Sequence, residues 1–213
     1  IRLGSLEPRI ITEEFAGALA GLAKFCPHFH LSLQSGCDAT LKRMNRHYTT
    51  EDYLRRCGIL RKWFDHPAIT TDVIVGFPGE TQEEFEITRE FLKKVHFYEM
   101  HVFKYSKRAG TRAAVMPDQV PEQVKGRRSD VLLELEASMS REYREHFIGS
   151  SVWVLFEDMA EVEGRKYIIG HTPQYVKAAL AVKDGEENRL SGQILCLKAA
   201  GLLGGDLLEV GWQ

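Results

Sequence analysis

The chain has 213 residues, 44% hydrophobic and 27% charged, a globular composition with room for one large domain or two smaller ones. Its formal net charge of −2 excludes a protein that binds nucleic acid through bulk positive charge, so any RNA contact has to come from local patches. Four scattered cysteines (Cys26, Cys37, Cys57 and Cys196) have neither metal-ligand spacing nor the density of a secreted framework, and no apolar run approaches the roughly 20 residues of a membrane span; a reducing, cytoplasmic setting with no membrane is expected.

Ile1 to Ser5 read as the tail of a strand that Pro8 stops, which puts Ser5 and Glu7 at a strand's carboxyl end. This start is neither a signal peptide nor an initiating methionine and reads as the middle of something longer. Thr12 is an N-cap with Glu13 and Glu14 in the first turn, and Phe15, Leu19, Leu22 and Cys26 predict one buried helical face that runs to Pro27. His28 to Leu33 then alternates as a strand and enters the polar loop Gln34-Ser35-Gly36. His28 and His30 share a strand face, but at a strand's amino end and without a nearby third ligand they are read as structural histidines, and no metal ligand is assigned. Leu41 and Met44 mark a short helical turn that carries Lys42, Arg43 and Arg46 outward. A longer helix opened by Thr50 follows, with Tyr53, Cys57, Leu60 and Phe64 toward the core, so Cys57 is read as packing.

The most informative stretch is Ile69 to Thr81. Asp72 to Val75 is short, β-branched and apolar after its first residue, which predicts a central parallel strand buried on both faces. Gly76 and Gly79 flank Phe77-Pro78 in a tight loop, Thr81 and Glu84 form a capping box, and Phe85, Thr88, Leu92 and Val95 line one face of the next helix. Ligands of parallel α/β folds sit at the carboxyl ends of strands, so Gly76 to Glu80 is the expected site. Tyr98 to Tyr105 forms a further strand with a basic mouth from Ser106 to Thr111. After the connector prolines Pro117 and Pro121, the recurrence of Val124, Val131, Leu135, Met139, Tyr143 and Phe147 predicts a long helix closed by Gly149. The order is an alternating, parallel α/β pattern. From Ser150 the texture changes to five short β runs (152–156, 167–170, 175–182, 192–197 and 206–210), which predict a small β-barrel. From Phe147 onward there are six Lys or Arg against nine Asp or Glu, a formal −3, against 22 and 21 before it; the barrel is an unpromising general polyanion binder.

Four stretches, taken together, resemble the radical S-adenosylmethionine (SAM) methylthiotransferases: Cys26-Pro27-His28-Phe29-His30-Leu31-Ser32-Leu33-Gln34-Ser35-Gly36, the Leu41 to Arg46 run, Thr71-Asp72-Val73-Ile74-Val75-Gly76-Phe77-Pro78-Gly79-Glu80-Thr81, and His101 to Ser106 followed by Asp118-Gln119-Val120-Pro121. Arg2 to Pro8 and Cys26-Pro27-His28 look more like the branch that modifies threonylcarbamoyladenosine in tRNA than the isopentenyladenosine or ribosomal-protein branches. The resemblance implies an α/β fold: residues 1–148 as the second half of a partial TIM-like radical SAM barrel, and 149–213 as a small all-β, OB-like TRAM domain. It implies methylthiolation of C2 of N6-threonylcarbamoyladenosine at position 37 of tRNA, with S-adenosylmethionine and two [4Fe-4S] clusters as cofactors and the tRNA anticodon loop as partner.

The amino-terminal cluster-binding domain and the Cys-x-x-x-Cys-x-x-Cys motif of that family would lie before Ile1, so this chain alone is expected to hold no cluster and no catalytic residue. By resemblance, SAM would be gripped by Ser5, Glu7, Gln34, Ser35, Val75, Gly76, Phe103 and Tyr105. RNA phosphates or a substrate carboxylate would be met by Lys42, Arg43, Arg46, Lys104, Lys107, Arg108 and Arg112. The competing readings are a stand-alone RNA-binding module and an unrelated TIM-like enzyme or phosphate binder; against the last, the Gly76 loop lacks a lysine at the helix start.

Overall fold

The structure is a computed structural model that describes residues 1–183 and 187–212. The chain divides into two units, residues 1–25 with 29–139 and residues 26–28 with 140–213. In the first, four strands lie side by side in sequence order: β1 (Ser5–Leu6), β2 (His28–Leu31), β3 (Ala68–Val75) and β4 (Glu99–Lys104). β1 pairs parallel to β2, with Ser5 opposite His30, and β3 pairs parallel to β4, with Asp72 opposite His101. Beyond the end of β2, Gln34 makes a parallel bridge to Val73.

The connecting helices are α1 (Glu13–Ala20), α2 (Asp38–Arg43), α3 (Thr50–Trp63) and α4 (Gln82–Val95), followed by the 24-residue α5 (Glu122–Glu145). Their starts follow from local chemistry. Thr12 Oγ1 accepts the Phe15 amide, and both Thr49 with Asp52 and Thr81 with Glu84 close complete capping boxes, so α3 opens at Thr50 as expected, with Thr49 as its cap. The predicted face of α4 is buried in full at Phe85, Thr88, Leu92 and Val95.

Two expectations need correction. The first helix stops at Ala20, well before Pro27. Gly21 caps it, and successive i to i+3 bonds, Leu22 to Leu19 and Phe25 to Leu22, turn the chain, so Leu22 is exposed. β3 is not buried on both faces. Ile69, Val73 and Val75 join Phe29, Leu31, Leu33 and Met100 in one core under the helices, whereas Asp72 and Ile74 on the opposite face are only half-buried. With helices over one face, alternation leaves His30, Asp72, Ile74, His101 and Phe103 on the other.

A side chain supplements the backbone ladder where β2 ends. The Thr71 hydroxyl donates to the Leu31 carbonyl at 2.5 Å and accepts the Leu33 amide at 3.0 Å, while the Tyr53 hydroxyl also donates to Leu31 at 2.8 Å. Thr71 and Tyr53 are wholly buried, so these bonds replace water for groups that would otherwise be orphaned.

The second unit contains a closed five-stranded barrel in the order β5 (Ser151–Val162), β6 (Arg165–His171), β7 (Lys177–Ala181), β9 (Leu207–Gly211), β8 (Ile194–Leu203), with a short helix, α6 (Glu187–Leu190), before β8. Every pairing is antiparallel except β7 with β9. Val152, Val154 and Phe156 alternate inward with Leu197, Ala199, Leu208 and Val210. A bulge between Phe156 and Asp158 bends β5 against β6, and there a Cβ on Gly170 would lie 2.2 Å from the Leu155 carbonyl oxygen. That approach requires glycine.

Candidate functional site

The carboxyl ends of the four parallel strands carry the loops expected to hold a ligand. At β3 the chain turns through Gly76 (φ 71°) and Gly79 (φ 78°), both left-handed. Glu80 folds back into this turn. Its carboxylate accepts the Gly76 amide at 2.7 Å and an Arg128 Nη1–H at 2.6 Å, and Arg128 also donates to the Glu80 carbonyl. The side chains are 1% and 6% exposed, so the pair sits in the interior, and burial pushes the Glu80 carboxyl up against the opposing pull of the amide and the guanidinium. From α5, one turn before Arg128, the buried Lys125 lays its stem over Gly76, where a Cβ would meet Lys125 Cγ at 2.3 Å. Its ammonium donates to the Tyr105 carbonyl and to Glu122, each at 2.8 Å. Lys125 ties the end of β3 to the end of β4 while Arg128 anchors the Glu80 turn, and sequence reading missed both. Nothing local distinguishes them from the solvent-facing charges around them; only the three-dimensional contact does.

The β2 end is equally fixed. Gln34 adopts φ 73°, and the Tyr48 hydroxyl donates to the Ser32 and Leu33 carbonyls; burial raises that phenol to about 12. Ser35 is fully buried, with its hydroxyl shared with Thr88 at 3.2 Å and accepting the Cys37 amide. A Cβ on Gly36 would meet the Thr88 carbonyl at 2.9 Å, so this loop is pressed onto α4. Ser35 is therefore a docking residue of the loop, and its side chain is not offered to a ligand. The Val75 carbonyl and the Gly76 amide are likewise already bonded, to the Tyr105 amide and to Glu80.

Ser5 and Glu7 are exposed, Gln34 is half-buried, and Phe103 lies 52% exposed on the polar sheet face. Tyr105 packs edge-on to Phe77, and its buried hydroxyl has no hydrogen-bond partner among the described residues. That orphaned donor, with Phe103 and Gln34, fits a polar ligand bearing a flat ring at the strand ends.

Of the expected cations, Lys42, Arg46, Lys104, Lys107, Arg108 and Arg112 are exposed. Arg43 is not. Its guanidinium grips the Glu84 carboxylate with both terminal nitrogens, holds Thr40, and lies against Gly79, because the capping glutamate of α4 faces α2. The pair lowers the Glu84 carboxyl below its ordinary value, chiefly through the Arg43 hydrogen bonds.

The residues do not fit an iron–sulfur cluster. Cys37 and Cys57 are buried in the core, Cys26 is half-buried and Cys196 is exposed on the barrel. Desolvation raises the Cys57 thiol to about 12, in keeping with packing rather than ligation. The one metal-capable group among the described residues contains no cysteine. It is His30, Asp72 and His101; His28, which shares a strand face with His30 in the sequence, is not part of it, and the other two members come from neighbouring strands.

A family model described as the Radical SAM superfamily matches residues 4–92. The chain is 41% identical to threonylcarbamoyladenosine tRNA methylthiotransferase MtaB of Bacillus subtilis, over 93% of this chain and 43% of that protein. It is 42% identical to a tRNA-2-methylthio-N(6)-dimethylallyladenosine synthase of Caldicellulosiruptor saccharolyticus, over 78% of this chain and 36% of that one. The chain thus spans less than half the length of these curated relatives. Among solved structures it resembles the radical SAM enzyme coproporphyrinogen III oxidase of Escherichia coli, with a TM-score of 0.50 and 21% identity over 64% of this chain and 31% of that chain, a likeness of fold.

Proposed function

The chain belongs to the radical SAM methylthiotransferase family, and from that premise we propose that it is the carboxy-terminal part of a tRNA methylthiotransferase acting on N6-threonylcarbamoyladenosine at position 37. Residues 1–148 belong to the radical SAM domain and 149–213 form its TRAM domain, and the enzyme works in the cytoplasm on the anticodon loop of tRNA. The observation that carries this reading is the parallel sheet with one polar face, whose strand-end loops are clamped from α5 while Gln34, Phe103 and Tyr105 stay at the mouth. SAM, when bound, supplies the radical chemistry; this chain's part is to orient it and to shield the reacting base. Ser5, Glu7, Gln34, Phe103 and Tyr105 would hold it, while Gly76 and Ser35 shape the loops.

The threonylcarbamoyl group carries a carboxylate that an isopentenyl group lacks. Lys104 at the end of β4 and Lys107, Arg108 and Arg112 after it, all exposed, offer charge-assisted bonds to it. The test uses the complete polypeptide extended upstream through the cluster motif. Ala replacement of the four cations should lower methylthiolation of threonylcarbamoylated tRNA at least tenfold, with SAM cleavage in the absence of tRNA little changed. Equal activity of the parent on isopentenylated tRNA, or no effect of the replacements, would overturn the substrate assignment. The 213-residue chain alone should yield no product.

A further inference from the structure

On the polar face of the sheet, three side chains from three neighbouring strands meet at one height. Asp72 of β3 stands directly opposite His101 of β4 in the ladder, and His30 of β2 approaches from the other side. The carboxylate lies between the rings. Asp72 Oδ2 is 3.3 Å from His30 Nε2 and Oδ1 is 3.1 Å from His101 Nδ1, and the ring centroids are 5.8 Å apart. One atom from each residue lies within 4.8 Å of the other two. Two ligands on a tetrahedral zinc with bonds of about 2.1 Å stand about 3.4 Å apart, so both imidazole–carboxylate separations, each to a different oxygen, are close to the spacing of ligands that share an ion. Thr70, two residues before Asp72 on the same face, places its hydroxyl 3.0 Å from His30 Nδ1. With the Nδ1 proton given to that oxygen, the Nε2 lone pair points at the cluster, the arrangement in which outer partners orient ligating imidazoles. His101 is 63% exposed at its side chain, which leaves an open side for a water as fourth ligand.

We propose that His30, Asp72 and His101 form a binding site for a borderline divalent transition ion, Zn²⁺ in the first place, that ties β2, β3 and β4 together across the polar face. Two neutral imidazoles and one carboxylate suit such an ion, whereas Mg²⁺ and Ca²⁺ prefer shells of oxygen donors, of which the group supplies only the one carboxylate. The site is independent of the cysteines and of the strand-end loops.

The test takes the tag-free, metal-stripped chain and titrates Zn²⁺ alone by calorimetry, with metal analysis after dialysis and Co²⁺ as a spectroscopic probe. The expected result is one equivalent per chain, a raised melting temperature, and an intense visible Co²⁺ spectrum typical of low coordination number. His101→Ala, at an exposed position that leaves the core intact, should weaken binding at least tenfold and change that spectrum, and Asp72→Asn should do the same. Cys26→Ser with Cys196→Ser should bind as the parent does, and excess Mg²⁺ should not compete. Substoichiometric binding, binding untouched by His101→Ala, or binding lost with the cysteines would overturn the proposal. Neither SAM nor tRNA enters the measurement, so failure here leaves the methylthiotransferase reading standing.

Discussion

The two units solve the burial of a β-sheet differently. The parallel sheet is covered by helices on one side only, and around its strand ends it buries ionised groups: Glu80, Arg128 and Lys125 are each at most 6% exposed. The barrel closes on itself, so its strands need no cover, and among its described residues Thr172 is the only buried polar one. It places aromatic and aliphatic bulk outward instead, with Trp153 57% and Ile194 61% exposed. Closure lets an apolar interior suffice, whereas an open sheet that must hold shaped loops needs polar bonds in its interior, and those make it brittle.

The contrast can be broken hardest at the buried ion pair. Arg128→Ala leaves the Glu80 carboxylate without its partner in the interior and should cost about 3–5 kcal/mol in denaturant unfolding. Replacing both, Glu80→Gln with Arg128→Met, should cost clearly less, because no uncompensated charge remains; equal losses would mean that the pair matters only as packing. The barrel should fail through shape instead. Gly170→Val drives a side chain into the Leu155 carbonyl and should cost about 2–3 kcal/mol, with amide-exchange protection lost along the β5–β6 ladder; an unchanged ladder would show that the bulge gives way freely.

The smallest effect concerns acid. Because Arg43 holds the folded-state Glu84 carboxyl below its ordinary 4.5, the stability this pair contributes is present above that pH and is lost as pH falls through the lowered value. Arg43→Met should remove about 1 kcal/mol at pH 7 and flatten the acid limb of the stability curve; an unaltered acid limb would assign that limb to other carboxylates.

What the sequence made legible was local or periodic. The Thr81–Glu84 box, the four-residue face of α4 and the five β runs of the barrel each announce themselves within a few residues of chain. The rest depends on register and distance. The early end of α1 is set by Gly21 and a turn of short-range bonds that its apolar spacing does not reveal. Arg43 looked solvent-facing until α4 presented Glu84 to it. The gathering of His30, Asp72 and His101 requires three strands to stand in a particular register, information that no single stretch contains, although alternation along each strand gives the face on which each residue falls.

Thr71 shows how misleading an ordinary residue type can be. In Ile69-Thr70-Thr71 it looks like a β-branched filler, interchangeable with valine in shape and propensity. Its hydroxyl, however, serves the Leu31 carbonyl and the Leu33 amide at the point where β2 gives way to the ligand loop. A valine there would preserve volume while stripping a buried amide of its acceptor, so drift at this position should be restricted to serine, the other small alcohol. Among relatives of this chain, the permitted alphabet at Thr71 would thus be set by the wiring of the neighbouring strand rather than by the packing of its own.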